Sequence, residues 1–232
     1  MIDQPPTSPG PTRHAGPSPA RVLIVDDHPI VRKGYALLIG NQQDLQICGE
    51  AASKDEAIDQ VGKTSPHLLI VDIRLKDSDG IDLIKQLKSQ RPHVRILVVS
   101  ALDEDLFAER AIQAGALGYM NKEEATENLI EAIRTVLRGE LYLSERTTKR
   151  LLRRRVGCDL AGATSPIQAL TDRELFVFRL IGQGLSTRRI AAEMQLSAKT
   201  IERYRENIKA KLELADATEL VRRATQWVLE NP

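Results

Sequence analysis

The chain predicts two domains of different class. The first is a doubly wound α/β domain, a five-stranded parallel sheet with helices on both faces, and the second is a small all-α domain. Three observations predict this. Strand-like and helix-like segments alternate five times between Arg21 and about Leu141, which is the pattern of a parallel sheet whose crossovers are helices. From Leu170 onward only helical spacings occur. Charge divides near the same boundary: residues 1–145 carry 16 Lys+Arg against 22 Asp+Glu, and residues 146–232 carry 17 against 10. An acidic half joined to a basic half implies different partners, nucleic acid being the obvious one for the basic half.

Each element has its own signal. Val22–Asp26 is an apolar strand, and His28–Gly40 follows with Ile30, Val31, Tyr35, Leu38 and Ile39 at helical spacing. Leu45–Cys48 is a weaker strand. Ser53 opens a helix that closes at Lys63–Ser65. His67–Asp72, HLLIVD, reads as a strand buried on both faces. The polar segment Lys76–Gly80 follows it, then a helix over Asp79–Gln90. Arg95–Ser100 is the fourth strand, Asp103–Ala114 a helix, Leu117–Met120 a short fifth strand, and Ala125–Arg138 a strongly periodic helix.

A connector runs from about Glu145 to Ala169. Its basic part, Arg146–Arg155, continues as a helix, and Gly157–Ile167 reads as flexible. Beyond it, Thr171 with Glu174 fits a capping box for Asp172–Ile181, which Gly182 and Gly184 break. Ser186 caps Thr187–Met194, Gln195 and Leu196 turn, and Ser197 caps Ala198–Leu212, with Ile201, Ile208 and Leu212 as the buried stripe. Asp216–Glu230 closes the chain, its apolar stripe being Leu220, Val221, Ala224, Trp227 and Val228. The domains are therefore expected at 21–140 and 169–232, joined by a linker over 141–168 and preceded by a disordered, proline-rich tail over 1–20.

Composition excludes several classes. Aromatic content is 3%, so the cores must be aliphatic. Two cysteines make no disulfide scaffold, and a reducing, cytoplasmic setting is expected. No stretch approaches a membrane span or a signal-peptide core. The first strand is followed by Asp26-Asp27-His28-Pro29, with no glycine, which argues against a nucleotide-cradling loop.

What remains is a set of acids at strand tips. Asp72 ends the third strand and Asp26 and Asp27 end the first. Open α/β sheets place their ligands at the carboxyl ends of strands. Three carboxylates at one edge repel unless a cation or proton sits among them.

Asp26, Asp27, Asp72, Ser100, Tyr119 and Lys122, each at or just beyond a strand end, resemble the receiver domain of bacterial two-component response regulators. That resemblance implies a flavodoxin-like fold and an aspartyl phosphate on Asp72, taken from a phosphohistidine of a sensor histidine kinase. The receiver would assist its own phosphorylation and dephosphorylation without being a metabolic enzyme. It also implies that Ser100 and Tyr119 act as a switch. The chemistry is consistent with Mg²⁺, a hard cation that takes a few carboxylates and keeps several waters. Asp27 and Asp72 would ligate it directly, Asp26 through water, and the Arg74 carbonyl would supply a further oxygen. Lys122 would offset charge in the transition state, and the Ser100 hydroxyl would bond one phosphoryl oxygen. Glu123 follows Lys122 where many receivers have proline.

Leu170–Leu214 is similar to the helix-turn-helix module of the LuxR/NarL/FixJ class. The helix after Ser197 would then enter the major groove of double-stranded DNA. Arg188, Lys199, Thr200 and Tyr204 are the candidate phosphate contacts. Glu202, Arg203 and Glu206 are the candidate base-edge readers, and the plainer role for the two glutamates is pairing with basic residues along the helix. By resemblance, a phosphorylated homodimer would bind an inverted repeat. The competing readings are a phosphorylation-independent regulator that keeps its receiver for dimerisation, and an aspartate-based phosphatase. The second needs an acid two residues after the nucleophile, where Arg74 stands.

Overall fold

The computed structural model describes residues 18–75, 78–102, 104–155, 166–194 and 196–230. Residues 1–17 of the expected tail, most of the expected flexible part of the connector, and Gln195 of the turn lie outside them.

Five parallel strands form the first domain: β1 (Ala20–Val25), β2 (Leu45–Ala51), β3 (Leu68–Val71), β6 (Arg95–Ser100) and β7 (Gly118–Asn121), in the order β2-β1-β3-β6-β7. The second strand is longer than the expected Leu45–Cys48, because β1 offers partners as far as Val25↔Ala51. Side chains alternate between the two faces. Val22, Ile24, Leu68, Ile70, Leu97 and Val99 pack against helices α1 (Pro29–Gly40) and α5 (Ala125–Leu137). Leu23, Val25, Leu69, Val71, Ile96 and Val98 point to the opposite face, where α2 (Lys54–Thr64), α3 (Gly80–Gln90) and α4 (Glu104–Ala114) lie. All four residues of β3 are buried, which is why its sequence is an unbroken apolar run.

The strand order reverses between β1 and β3, so a crevice opens at their carboxyl ends. Val25 is in register with Val71, so the residues that follow, Asp26 and Asp72, leave the sheet side by side. A feature not expected from the sequence follows Asp72: a two-residue hairpin of β4 (Arg74–Leu75) and β5 (Ser78–Asp79) in antiparallel register. The helix after it begins at Gly80, not Asp79, because Asp79 is its cap and accepts from the Ile81 N–H at 2.9 Å.

The basic connector is helical as expected, α6 spanning Glu145–Arg155. After a 3₁₀ turn (Pro166–Ala169) come α7 (Asp172–Gly182), α8 (Thr187–Glu193), α9 (Ala198–Leu212) and α10 (Ala217–Glu230). The expected caps at Ser53, Thr171, Ser186 and Ser197 all accept a backbone N–H, and Thr171 with Glu174 closes a full capping box. Glu174 also pairs with Lys211 Nζ at 2.6 Å, tying α7 to α9. Burial works against its charge, yet the Lys211 and Thr171 hydrogen bonds outweigh that and lower its pKa. Of the expected stripes, Ile201, Ile208, Leu220 and Ala224 are buried, while Leu212, Trp227 and Val228 are half-buried and Val221 is exposed. Gly182 ends its helix without breaking it, and Gly184 carries the positive φ of +83°.

The two domains touch, and one apolar cluster runs from the sheet's α4 side into the helical domain through Leu75, Leu102, Ile167 and Leu170. Arg110 on α4 donates to Leu170 O at 2.8 Å, to Asp172 Oδ1 at 2.9 Å and to Ile167 O at 3.2 Å. Arg173 donates to Leu75 O, and the Arg74 guanidinium lies 5.7 Å from the Phe176 ring centroid.

Asp79 sits at this seam. Burial, and then the nearby Asp172 carboxylate, push its pKa up to about 7, against the pull of the Ile81 N–H and Arg173. A carboxylate raised on folding destabilises the fold increasingly as pH climbs from its ordinary range to the folded value, and fully above it. Asp79→Asn, which keeps a capping oxygen, is therefore expected to raise Tm more at pH 8 than at pH 5. The extra gain should be at least roughly 1 kcal/mol, about 2–4 °C in a chain of this size, read by thermal melts at both pH values. An equal or smaller gain at pH 8 would contradict it.

Candidate functional site: an acidic crevice with one lysine

Asp72 is 3% exposed, just beyond β3. Its Oδ1 accepts the Ser100 hydroxyl at 2.8 Å and the Arg74 N–H at 3.2 Å, and its Oδ2 accepts from Lys122 Nζ at 2.6 Å. The same ammonium stands 2.6 Å from Asp26 Oδ2. Each strand tip thus contributes one group: β1 Asp26 and Asp27, β3 Asp72, β6 Ser100, and β7 Lys122 just after its end. The expected pocket assembles.

Charge in the crevice does not balance. Burial, and Asp26 beside it, raise the pKa of Asp72 in spite of Lys122. Burial also opposes the Lys122 charge, but Asp72 and Asp26 together outweigh it and raise its pKa. Both shifts mean that the crevice holds too little positive charge for its carboxylates. Asp26 Oδ2 and Asp27 Oδ1 are buried without accepting a hydrogen bond, and ligand atoms of Asp26, Asp27, His28 and Asp72 all lie within 4.8 Å of one another. An oxygen-rich donor set with orphaned carboxylate oxygens fits a hard divalent cation such as Mg²⁺.

Sequence reasoning missed His28 as part of this set. Its N–H donates to Asp26 Oδ1 at 2.8 Å, and its Nδ1 lies 2.7 Å from Asp27 Oδ1. The signal available was its position directly after the two acids. Arg32, also missed, donates to the Asp26 carbonyl at 2.6 Å.

Tyr119 is turned inward at 1% exposure, and its hydroxyl donates to Leu102 O at 2.8 Å. The Leu102 N–H in turn reaches Ser100 Oγ at 3.4 Å. A polar chain therefore joins Asp72, Ser100, Leu102 and Tyr119.

In the helical domain, Arg188, Lys199, Glu202, Arg203 and Glu206 are exposed, and Thr200 and Tyr204 are half-buried. Tyr204 packs against the domain core, and Thr200 belongs to the Ser197 cap, their hydroxyls 2.8 Å apart. The plainer role of the glutamates is realised: Glu202 accepts from Thr187 Oγ1 at 2.8 Å, and Glu206 pairs with Lys209 at 3.0 Å. Exposed pairs of this kind contribute little and exchange readily.

Known proteins resemble the chain over both domains. Residues 22–134 match the response regulator receiver domain, and residues 168–224 match the bacterial regulatory proteins of the luxR family. Response regulator protein VraR of Staphylococcus aureus (strain Mu3) is 32% identical over 201 residues, covering 87% of this chain and 94% of that protein. Transcriptional activator protein ExaE of Pseudomonas putida is 34% identical over 209 residues, covering 88% and 95%. Among solved structures, a LuxR-family two-component response regulator from Aurantimonas sp. SI85-9A1 is 33% identical with a TM-score of 0.55, over 60% of this chain and 99% of that one. RcsB from Salmonella enterica serovar Typhimurium, bound to promoter rprA with a phosphomimetic, is 25% identical with a TM-score of 0.55, over 89% and 98%. With its crevice at the sheet's switch point and its capped three-helix reader, the chain belongs to the LuxR-family response regulators, a family of transcription regulators that couple a receiver to a DNA-binding domain.

Proposed function

We propose that Asp72 accepts a phosphoryl group from the phosphohistidine of a sensor histidine kinase, with Mg²⁺ bound, and that this controls dimerisation and sequence-specific DNA binding in the cytoplasm. The observation that carries the reading is the Asp72 carboxylate held between the Ser100 hydroxyl and the Lys122 ammonium, beside two further acids. The cation would be held by Asp27, Asp72 and the Arg74 carbonyl, with Asp26 acting through water, and when bound it supplies charge neutralisation at the transferring oxygens.

The chain's own residues do the rest. Asp72 Oδ attacks phosphorus, the O–P bond forms, and the N–P bond to the donor imidazole breaks with its electron pair leaving on nitrogen. Lys122 is placed to bond a phosphoryl oxygen where charge accumulates, and Ser100 to donate to another. Once Ser100 turns to the phosphoryl group, the chain through Leu102 to Tyr119 carries the change to the surface of α4 and β7. On DNA, α9 would enter the major groove, with Arg203, Glu202 and Glu206 at base edges and Arg188, Lys199, Thr200 and Tyr204 at phosphates. DNA contact and dimers in the RcsB relatives support this side of the reading.

Incubation with acetyl phosphate and Mg²⁺ tests it. The chain is expected to gain about 80 Da and Asp72→Ala to gain nothing, with tighter binding of a selected duplex only in the former. Equal DNA binding with and without phosphodonor would favour the phosphorylation-independent regulator instead.

A further inference from the structure

The seam between the domains does not lie on the DNA-reading surface. It lies over the crevice. A cavity of about 60 Å³ remains between them, lined on the receiver side by Asp27, His28 and Arg74 and on the other by Phe176, Met194 and Leu196. That is room for a few waters, far below the ~300 Å³ at which ligand pockets begin.

Arg74, offered above as the carbonyl ligand, has its guanidinium against Phe176, and the next carbonyl, Leu75 O, accepts from Arg173. The loop that shapes the crevice is therefore the loop on which the DNA-binding domain rests. Arg110, from α4, fastens the arrangement from the side through its three bonds to Ile167, Leu170 and Asp172. Meanwhile Lys199, Glu202, Arg203 and Glu206 stay exposed, as do Val221 and Leu229 on the outer side of α10.

We infer that the docked DNA-binding domain closes the mouth of the phosphoacceptor crevice while leaving its own reading helix open, so that this contact gates phosphoryl entry and not access to DNA. The inference rests on Asp72 being the phosphoacceptor. Arg110 acts in it as a positioning residue: it touches neither donor nor DNA, but sets how much of the population has the crevice open. Linkage makes the effect reciprocal, so a phosphoryl group that needs the open mouth also weakens docking.

Arg110→Ala in the full chain tests this by two readouts: the initial rate of mass gain with acetyl phosphate and Mg²⁺, and the affinity of the unphosphorylated chain for a duplex selected by the wild type from a random pool. Phosphorylation is expected about tenfold faster, the factor for 1.4 kcal/mol of lost docking, with DNA affinity unchanged within about twofold. Damage to the fold would slow the reaction, so a faster rate cannot come from misfolding. Asp172→Asn releases the same clamp from the other domain and is expected to accelerate likewise, which serves if Arg110→Ala does not fold. Equal, measurable rates in wild type and folded variants overturn the gate. Unchanged rates with tighter DNA binding overturn it in favour of a masked reader. No mass gain in any chain, wild type included, sinks the phosphoacceptor reading itself.

Discussion

Lys122→Met is expected to slow phosphorylation of Asp72 by acetyl phosphate at least 100-fold, the scale of removing one preorganised charge partner from a transition state. It is also expected to destabilise the chain in EDTA by about 3 kcal/mol, because Asp26 and Asp72 would be left buried without their shared ammonium. The two effects separate experimentally. Stability is set by ground-state charge, and a divalent cation among the carboxylates should restore part of it, in proportion to RT ln(1 + [Mg²⁺]/Kd). The rate should stay low, since a cation bound by Asp27 and Asp72 does not replace the donor that Lys122 extends from the end of β7. Loss of the ammonium also drives the already raised pKa of Asp72 further up, which removes nucleophilic carboxylate at neutral pH. Melting curves with EDTA and with Mg²⁺, beside the rate of mass gain, decide the matter. A variant as stable as wild type in EDTA would mean that the ammonium is not the crevice's counter-charge.

Why this pocket could be read in the sequence, while the seam could not, has a physical answer. A parallel strand buried on both faces must be apolar throughout, so the first charged residue after it marks both the strand's end and the crevice. Asp26 and Asp72 announce themselves in this way, and the register Val25↔Val71 then puts them together. Helix starts are legible for a similar reason, since an orphan N–H needs an acceptor three residues before it, and Ser53, Thr171, Ser186 and Ser197 each supply one.

The hairpin at Arg74–Asp79 carries no such mark. Two residues per strand show no periodicity, and what holds the turn is Gly80, whose missing side chain lets Asp72 O come within 2.3 Å of where a Cβ would stand. Arg110, Asp172 and Phe176 are ordinary residues at ordinary places on their helices. Nothing local tells a guanidinium on α4 that its partners lie some 60 residues on. His28 falls between these cases, visible beside Asp27 but without a pattern that assigns it a part.

Gly182→Ala is expected to unfold the DNA-binding domain while sparing the receiver, and the comparison with Gly184→Ala shows why spacing alone misjudges these two glycines. Both follow a helical run. Gly184 has a φ of +83° with open space where a Cβ would go, so alanine there costs only backbone strain, about 1 kcal/mol. Gly182 is helical, and a Cβ on it would lie 2.4 Å from Ala224 O and 2.6 Å from Val228 Cγ2. A backbone carbonyl in the middle of α10 cannot move aside without moving the helix. That helix holds Leu220 and Ala224 in the core and stacks Trp227 on Phe178 at 5.8 Å. Overpacking of this kind costs about 1–3 kcal/mol or more, a large share of what so small a domain has. Calorimetry is expected to show the second domain's transition shifted well below that of Gly184→Ala, with the selected duplex no longer bound. Mass gain with acetyl phosphate should persist, because no residue of the crevice lies beyond Lys122. It should also be faster than in wild type, since a melted domain cannot rest on Arg74 and Leu75. A Gly182→Ala chain that has lost DNA binding, yet is phosphorylated no faster, would separate the fold of the reader from any guard over the crevice.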